Sequence, residues 1–303
     1  MNLLEKIRYK IGDAIRVVQL KGIDMEWFGD KKNLSLQEAN DRLAEDLNRG
    51  EPLSVIRLGI TELQWLCCFE GEAPLPESFY YIWFDGLFRK PGEKQKFLTL
   101  LEEGYQQADY IGCWYFSREE GALLKRYASQ AEYASARFVE PYYINDHPWT
   151  LALSGKKVLV VSPFTETIRR QYERKNLIYP DGLLPDFNLI TMKSIWYDEP
   201  DNSEFDSWFN ALDAMKKKVM SLDFDVALLG CGPFGTPLTT YIKSMGKQAI
   251  YIGGALQILF GIKGKRWDAS PEIRRLYNET WIYPSEEKPR RASVLDDSCY
   301  WGK

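Results

Sequence analysis

Short apolar runs alternate with amphipathic segments along most of the chain. The runs at 158–161 and 226–229 are wholly apolar, which is typical of strands buried on both faces of a sheet. In other segments apolar residues return every three or four positions, as at 203–222, where Trp208 and Leu212 share one helical face. Strands that alternate with helices predict an α/β, Rossmann-like fold, with a mostly parallel sheet and helices on both faces.

The same pattern predicts the individual elements. Strands are predicted at 53–59, 108–116, 156–164, 188–197, 224–229 and 248–252. Helices are predicted at 30–49, 61–69, 118–128, 165–175, 203–222 and 236–243. The first of these helices carries the signature of a capping box, with Ser35 as the N-cap and Glu38 three residues later.

Three parts of the chain are expected. An amphipathic helix at 1–24 precedes a Rossmann-like domain at 25–267, and a polar tail at 268–303 wraps onto that domain. Because the last residues include Tyr300 and Trp301, we expect the end of the tail to pack rather than to be disordered.

A glycine-rich turn follows the apolar run at 226–229 and spells G-x-G-x-x-G with Gly230, Gly232 and Gly235. Glycine lets backbone N–H groups approach a phosphate, and the N-terminus of the next helix favours an anion. Close packing alone can also require such glycines, so both interpretations stay open. A dinucleotide fold places a carboxylate about 20 residues farther on. Here the strand at 248–252 leads into glycines instead, which favours a nucleoside diphosphate over NAD or FAD.

Ligands of parallel sheets bind at the carboxyl ends of the strands, so the residues after each predicted strand are site candidates. The predicted ligand-binding residues are Arg57, Gly59, Ser162, Gly230, Gly232, Pro233, Phe234 and Gly235, with Lys263, Lys265 and Arg266 farther along the chain.

Two carboxylates are predicted as catalytic bases that deprotonate an acceptor hydroxyl, Glu62 and Glu166. Arg57 near Glu62 fits phosphate binding beside a metal or an acceptor hydroxyl, and a purely structural Arg–Glu pair is the alternative. Asp85 and Asp109 are alternative bases, and a surface or capping role is the ordinary interpretation of Glu166 and of both aspartates.

Composition limits the classes of function. The 303 residues carry a net charge of −4, so bulk electrostatics do not favour nucleic-acid binding. The five cysteines form no C-x-x-C pair and the only histidine is His147, which predicts free thiols and no metal ligands of the zinc type. A signal-peptide pattern and a long apolar run are both missing, which predicts a cytoplasmic protein. A homo-oligomer is compatible with this composition.

The segment 1–21 differs from the rest because it carries five basic and two acidic side chains. A basic amphipathic helix binds anionic membrane surfaces, which predicts peripheral contact with the inner face of the membrane. Packing of its apolar face, which includes Ile7 and Ile11, on the chain's own domain is the alternative.

Three segments resemble a known family: RLGITE at 57–62, GPFGTPL at 232–238 and GKQAIYIGG at 246–254. They are similar to the R-[FIL]-G-D-G-E and G-P-x-x-x-x-L…G-[KR]-Q-A-[IL]-x-[IL]-G motifs of the GT-D-fold glycosyltransferases of bacterial surface-polysaccharide and glycoprotein pathways. The resemblance covers both ends of the catalytic domain. It implies a GT-D-like fold and transfer of a sugar from a nucleotide sugar, with a UDP-sugar as the expected donor, to a glycan or lipid-linked acceptor.

The chain departs from this family at one position. The D-x-E element of the family is associated with a metal and the donor diphosphate, and Ile60 stands in place of its Asp, so that Glu62 alone remains. One carboxylate is a poor site for Mg²⁺ or Mn²⁺ unless waters and phosphates complete the shell. Metal-independent transfer, a metal held by another carboxylate, and loss of activity all stay open. Without a metal, the cations of 263–266 and the amides of 232–235 would neutralise the leaving diphosphate.

Two other functions stay open. One is a different Rossmann-like enzyme that uses NAD or S-adenosylmethionine, against which the missing carboxylate after 248–252 argues. The other is a non-catalytic nucleotide-binding protein, which the substitution at Ile60 motivates.

Overall fold

The computed structural model describes residues 33–59, 62, 66, 87–88, 90–114, 118–128, 130–197, 204–288 and 298–302. The predicted amphipathic helix at 1–24 lies outside these residues, as does most of the helix predicted at 61–69.

Seven strands form one sheet in which all neighbouring strands are parallel. They are β1 (Leu53–Arg57), β2 (Tyr110–Cys113), β3 (Glu132–Ser135), β4 (Lys157–Ser162), β5 (Asn188–Lys193), β6 (Val226–Leu229) and β7 (Gln248–Tyr251). Their order across the sheet is β3-β2-β1-β7-β6-β4-β5. The predicted α/β class with a parallel sheet is confirmed.

Ten α-helices accompany the sheet within the described residues. They are α1 (Leu36–Arg49), α2 (Glu93–Gln107), α3 (Arg118–Tyr127), α4 (Thr165–Tyr172), α5 (Lys175–Ile178), α6 (Trp208–Met220), α7 (Gly235–Ser244), α8 (Leu256–Leu259), α9 (Lys265–Asp268) and α10 (Pro271–Arg274). The predicted capping box of α1 is confirmed, because the Ser35 N–H donates to Glu38 and the Glu38 N–H donates to the Ser35 hydroxyl.

The inner strands β1, β2, β4, β6 and β7 are buried on both faces, which explains their apolar runs, whereas the edge strand β5 is largely half-exposed. In β4, Val158 and Val160 join one core cluster, which packs under α1, and Leu159 and Val161 join the other, which packs under α2, α6 and α7. Side chains alternate between the two faces of a strand, so successive apolar residues of such a run pack into the two opposite core clusters.

β3 was not predicted from the sequence. Its residues Glu132–Ser135 form no apolar run, and the strand lies at the edge of the sheet, where it pairs only with β2. An edge strand is covered less completely than a central one, so its sequence carries a weaker signal.

The strand order opens a crevice at one edge of the sheet. After β1 the chain leads to β2 and β3 on one side, whereas after β4 it leads to β5 on the other side. β6 and β7 then fill the space between β1 and β4, so that Val55 lies opposite Ile250 and Ile250 lies opposite Leu228. Loops that leave in opposite directions create a binding crevice beyond the carboxyl ends of the strands.

The end of the tail packs as expected. Trp301 is buried, and its ring lies 5.2 Å from that of Phe164 and 5.5 Å from that of Trp196, measured between centroids. Within the described ranges, the helices are all too short or too polar to cross a membrane.

Candidate functional site

A cavity of about 330 Å³ lies at the carboxyl edge of the sheet and is called the main cavity here. Its walls are formed by the segments that follow β1, β2, β4, β5, β6 and β7, together with Arg266 and Tyr300 from the last part of the chain. The crevice that the strand order creates is therefore the place where the sequence motifs meet.

Most of the predicted site residues line this cavity. They are Arg57, Gly59, Glu62, Ser162, Gly230, Gly232, Pro233, Phe234 and Arg266. The other four predicted site residues, which are Glu166, Gly235, Lys263 and Lys265, do not line it.

The positions of these four residues explain why they stay outside the main cavity. Glu166 is exposed in the first turn of α4 and forms an ion pair with Arg169. The Lys263 ammonium lies 5.3 Å from the ring centroid of Tyr277 rather than at the glycine turn. Gly235 is buried, and Lys265 lies one residue before Arg266 without reaching the cavity wall.

The three glycines of the G-x-G-x-x-G turn have different roles. A Cβ on Gly230 would lie 2.9 Å from the Gly253 carbonyl oxygen, and a Cβ on Gly235 would lie 2.3 Å from the Tyr251 ring, so both are required for close packing. Gly232 has a φ of +57°, and a Cβ there would meet no atom within 4 Å. Gly232 therefore provides a left-handed turn that is open to the cavity, and a ligand can approach its backbone closely.

The same turn limits which amides can bind an anion. Pro233 has no N–H, and the Gly235 N–H donates to the Gly232 carbonyl. The Gly230 N–H donates to Val161 of β4 at 2.8 Å. The Phe234 N–H is directed at the Cys231 carbonyl within the 3₁₀ turn Gly232–Phe234, so the Gly232 N–H remains as a candidate donor of this turn. Burial raises the pKa of Cys231 to about 12, so its thiol stays neutral and is not a nucleophile at neutral pH.

Two of the helices that begin at this edge of the sheet, α4 and α7, differ in how their N-termini are satisfied. At α4 the carboxylate of Glu286 accepts from the Thr167 N–H at 2.9 Å and from the Thr167 hydroxyl. At α7 no side chain of the described residues caps the first turn, and that turn carries no acidic residue. An anionic ligand is therefore favoured at α7 over α4, whose N-terminus is already neutralised.

Glu62 is the carboxylate that the described residues bring into the main cavity. It folds back on Gly59 so closely that a Cβ there would lie 1.8 Å from its Oε2 atom, and the glycine is required at that position. Burial raises the pKa of Glu62 above its ordinary value of 4.5, although a backbone hydrogen bond opposes the shift. A carboxylate with a raised pKa is a stronger base, which suits removal of a proton from a hydroxyl.

Glu62 is also close to the glycine turn. Its charge contributes to raising the pKa of Tyr251, after the larger effect of burial. The Tyr251 hydroxyl donates to the Gly232 carbonyl at 2.9 Å. One tyrosine thus connects the carboxylate to the turn across the cavity.

Arg57 is paired with Glu140, not with Glu62 as the structural alternative from the sequence suggested. Its Nη1 atom lies 3.4 Å from Glu140 Oε1 and donates to the Ile252 carbonyl, and its guanidinium lies 4.3 Å from the ring centroid of Trp114. Burial raises the pKa of Glu140, while the Arg57 charge opposes the shift. The pair holds the guanidinium in a fixed orientation at the wall of the main cavity.

The alternative base Asp109 lies at the start of β2, at the amino-terminal edge of the sheet and opposite to the carboxyl edge that forms the main cavity. Its carboxylate accepts from the Ser54 N–H at 2.8 Å and pairs with Lys243 at 2.7 Å, which is a structural role. Asp85 lies outside the described residues. His147 is exposed in a loop and pairs with Asp146.

Sequence reasoning missed several residues of the cavity wall. Trp196 and Tyr197 follow β5, Tyr251 ends β7, and Tyr300 comes from the tail. Trp196 and Tyr197 lie inside the strand predicted at 188–197, whereas β5 ends at Lys193, so the misplaced strand end kept the rule of carboxyl ends from finding them. Tyr300 could not be predicted from the sequence, because its ring packs against Gly254, which is distant in the chain.

The chain matches no protein-family model and no curated protein. Two solved structures are similar to it. One, at 16% identity and a TM-score of 0.44 over 76% of this chain and 81% of the other, is a selenomethionine-substituted structure of domain of unknown function 1792. The second, at 15% identity and a TM-score of 0.45 over 76% and 80%, is described as the highly conserved domain of unknown function 1792 with a distinct glycosyltransferase fold. Both similarities concern the backbone fold, and they identify no donor and no acceptor.

Proposed function

We propose that this protein is a glycosyltransferase that moves a sugar from a nucleotide-sugar donor, with a UDP-sugar as the first choice, to a hydroxyl of a glycan or lipid-linked acceptor in surface-polysaccharide assembly. One observation carries the proposal. The main cavity brings together the Gly232 turn that precedes α7, two arginines and the carboxylate of Glu62. The turn and the arginines suit a diphosphate, and the carboxylate of Glu62 suits an acceptor hydroxyl.

Each side chain has a defined task in this reaction. The acceptor oxygen forms a bond to the anomeric carbon while the bond from that carbon to the diphosphate oxygen breaks. Glu62 takes the proton of the acceptor hydroxyl. The diphosphate leaves with the electron pair, and Arg266, Arg57 and the Gly232 amide stabilise its charge.

A divalent metal does not fit the described residues of the site. Glu62 is the carboxylate they bring to the main cavity, and within the described ranges no three His, Cys, Asp or Glu side chains cluster as metal ligands. Mg²⁺ and Mn²⁺ bind through several oxygen ligands, so one carboxylate is insufficient. The steps above therefore run through the chain's own residues.

A nucleotide screen tests the proposal. UDP, GDP, CMP and dTDP are compared by thermal shift, with NAD and S-adenosylmethionine as the rival ligands. A ligand at about 100 times its Kd stabilises the folded state by about 2.7 kcal/mol, which raises Tm by several degrees. We expect UDP to stabilise most and a UDP-sugar to be hydrolysed slowly. Stabilisation by NAD or S-adenosylmethionine alone would contradict the proposal, and binding without any turnover would favour a non-catalytic nucleotide-binding protein.

We predict that transfer depends weakly or not at all on a divalent metal, because Ile60 stands where the resembling family has Asp. Donor hydrolysis measured in EDTA should keep most of its rate, and added Mn²⁺ or Mg²⁺ should change it by less than about tenfold. Complete loss in EDTA with full recovery on adding metal would show that carboxylates outside the described residues complete a metal site.

A second prediction concerns the segment 1–21, which lies outside the described residues and carries a local charge of +3 from five basic and two acidic side chains. Each basic residue near an anionic surface contributes about 1 kcal/mol of attraction. The full chain should therefore sediment with anionic liposomes, and a chain without residues 1–21 should stay folded and remain in the supernatant. An unfolded truncation, or a full chain that ignores the liposomes, would show that the segment packs on its own domain.

A further inference from the structure

We infer that a second cavity beside the main cavity binds a single pyranose ring of the acceptor. This inference rests on the proposed function for the identity of the ligand as acceptor. The second cavity has a volume of about 180 Å³, the space of about six water molecules, which suits one sugar ring. Its characteristic residues are Trp114, Arg137, Glu140, Tyr143, Trp267 and Glu272.

The two cavities adjoin each other. Arg57, Trp114, Gly254 and Arg266 line both. A molecule in the second cavity therefore lies next to the two arginines that face the donor diphosphate in the main cavity. This is the neighbourhood that an acceptor must occupy, because its hydroxyl has to reach the anomeric carbon.

The order of the strands indicates where the donor and the acceptor lie along the carboxyl edge of the sheet. Trp196 follows β5 at one side of the sheet, the Gly232–Phe234 turn follows β6, Glu62 follows β1, and Arg137 with Glu140 follow β3 at the other side. Neighbouring strands are about 4.8 Å apart, so the β6 turn and the β3 end are separated by about four such steps, on the order of 19 Å. A donor that extends from β5 to β1 leaves the β2 and β3 end for the acceptor.

The walls of the second cavity match the two kinds of surface on a sugar. Aromatic rings pack against the C–H faces of a pyranose, and Trp114, Tyr143 and Trp267 line the cavity. An arginine already lies over one face of each ring, so a pyranose packs against the opposite face. Paired charged groups donate to and accept from the hydroxyls at its edge. Arg137 and Glu272 form such a pair at 3.1 Å.

Two of the three arginines that line this cavity are paired with carboxylates, and the third, Arg266, also lines the main cavity, where it faces the donor. These pairs favour a neutral ligand. Arg137 pairs with Glu272, and Arg57 pairs with Glu140. The Tyr143 hydroxyl also donates to Glu272 at 3.2 Å. A neutral sugar adds hydrogen bonds to this network without breaking either pair, whereas a phosphate would compete with the two carboxylates for the arginines.

The experiment uses the full chain and measures binding of methyl pyranosides by saturation-transfer NMR. The probes are the methyl α- and β-glycosides of glucose, galactose and N-acetylglucosamine, each with and without saturating UDP. The test variant is Arg137→Ala with Glu272→Ala, which removes both partners of a pair whose side chains are 46% and 54% exposed, so the fold is retained. The matched control is Lys157→Ala with Asp223→Ala. This exposed pair lies at the start of β4, at the amino-terminal edge of the sheet.

We expect at least one pyranoside to bind the native chain in the presence of UDP, and its signal to fall at least fivefold in the test variant and not in the control. UDP binding should be equal in all three proteins. The inference is overturned if no pyranoside binds, if UDP displaces the pyranoside, or if the test variant loses UDP instead, which would assign the cavity to the nucleoside. If no nucleotide binds the native chain while pyranoside binding depends on Arg137 and Glu272, the proposed function fails and the sugar site stands.

Discussion

Replacing Glu62 with glutamine is expected to lower the rate of transfer by about 10²- to 10⁴-fold, the usual contribution of a general base. The amide has the shape of the carboxyl group, so the contact with Gly59 is kept. It does not accept a proton at neutral pH, and the acceptor hydroxyl then loses its base. The rate of transfer from a UDP-sugar at saturating acceptor measures the effect.

The pH dependence gives a second measurement of the same residue. Since burial raises the pKa of Glu62 above 4.5, the rate of the native enzyme should rise with pH over a range above that value, and this rise should vanish in Glu62→Gln. A carboxyl whose pKa is raised on folding favours the folded state below its unfolded pKa, and this contribution is lost as pH rises through the folded pKa. The variant should therefore be as stable as the native chain at neutral pH, or more stable.

Glu166→Gln is the matched control, because Glu166 was the other base predicted from the sequence. It is exposed and paired with Arg169 outside the main cavity, so its removal should change the free energy of unfolding by less than about 0.5 kcal/mol and leave the rate unchanged. If Glu166→Gln abolished transfer and Glu62→Gln did not, the roles assigned to these two carboxylates would be wrong.

Valine at Gly232 is expected to weaken nucleotide binding by at least about tenfold. The turn approaches the ligand through its backbone, and a side chain there would enter the open space of the main cavity. Loss of one hydrogen bond to a charged group corresponds to about 1.5–3 kcal/mol, which is tenfold or more in Kd. Isothermal titration with UDP measures the change.

The positive φ of Gly232 requires a control for strain. A residue with a side chain held at a left-handed φ destabilises the fold by about 1–3 kcal/mol, whether or not a ligand is present. Gly50 has a φ of +74° at the end of α1, and a Cβ there would also meet no atom within 4 Å. Gly50→Val should therefore lose a similar amount of stability and keep full UDP affinity. Equal UDP affinity in Gly232→Val and Gly50→Val would show that the diphosphate does not bind at this turn.

Local patterns in the sequence were sufficient to predict most of the fold. The apolar run of β4 identified a strand buried on both faces, and the pairing of Ser35 with Glu38 identified the start of α1. These features depend on residues within a few positions of one another, which periodicity and capping chemistry report directly. The rule that ligands bind at the carboxyl ends of parallel strands then brought Arg57 and Ser162 to the cavity without knowledge of the strand order.

The sequence alone determined that this chain alternates strands with helices, that its sheet is parallel and that its strand ends carry a glycine turn, an arginine and a carboxylate. Only the tertiary structure decided that β6 and β7 lie between β1 and β4, that Arg57 pairs with Glu140, and that Tyr300 from the tail lines the cavity while Glu166 does not. The physical reason is the range of the interactions. Strand order and ion pairing join residues far apart in the chain, and the packing of the whole core selects among many arrangements that satisfy the same local pattern.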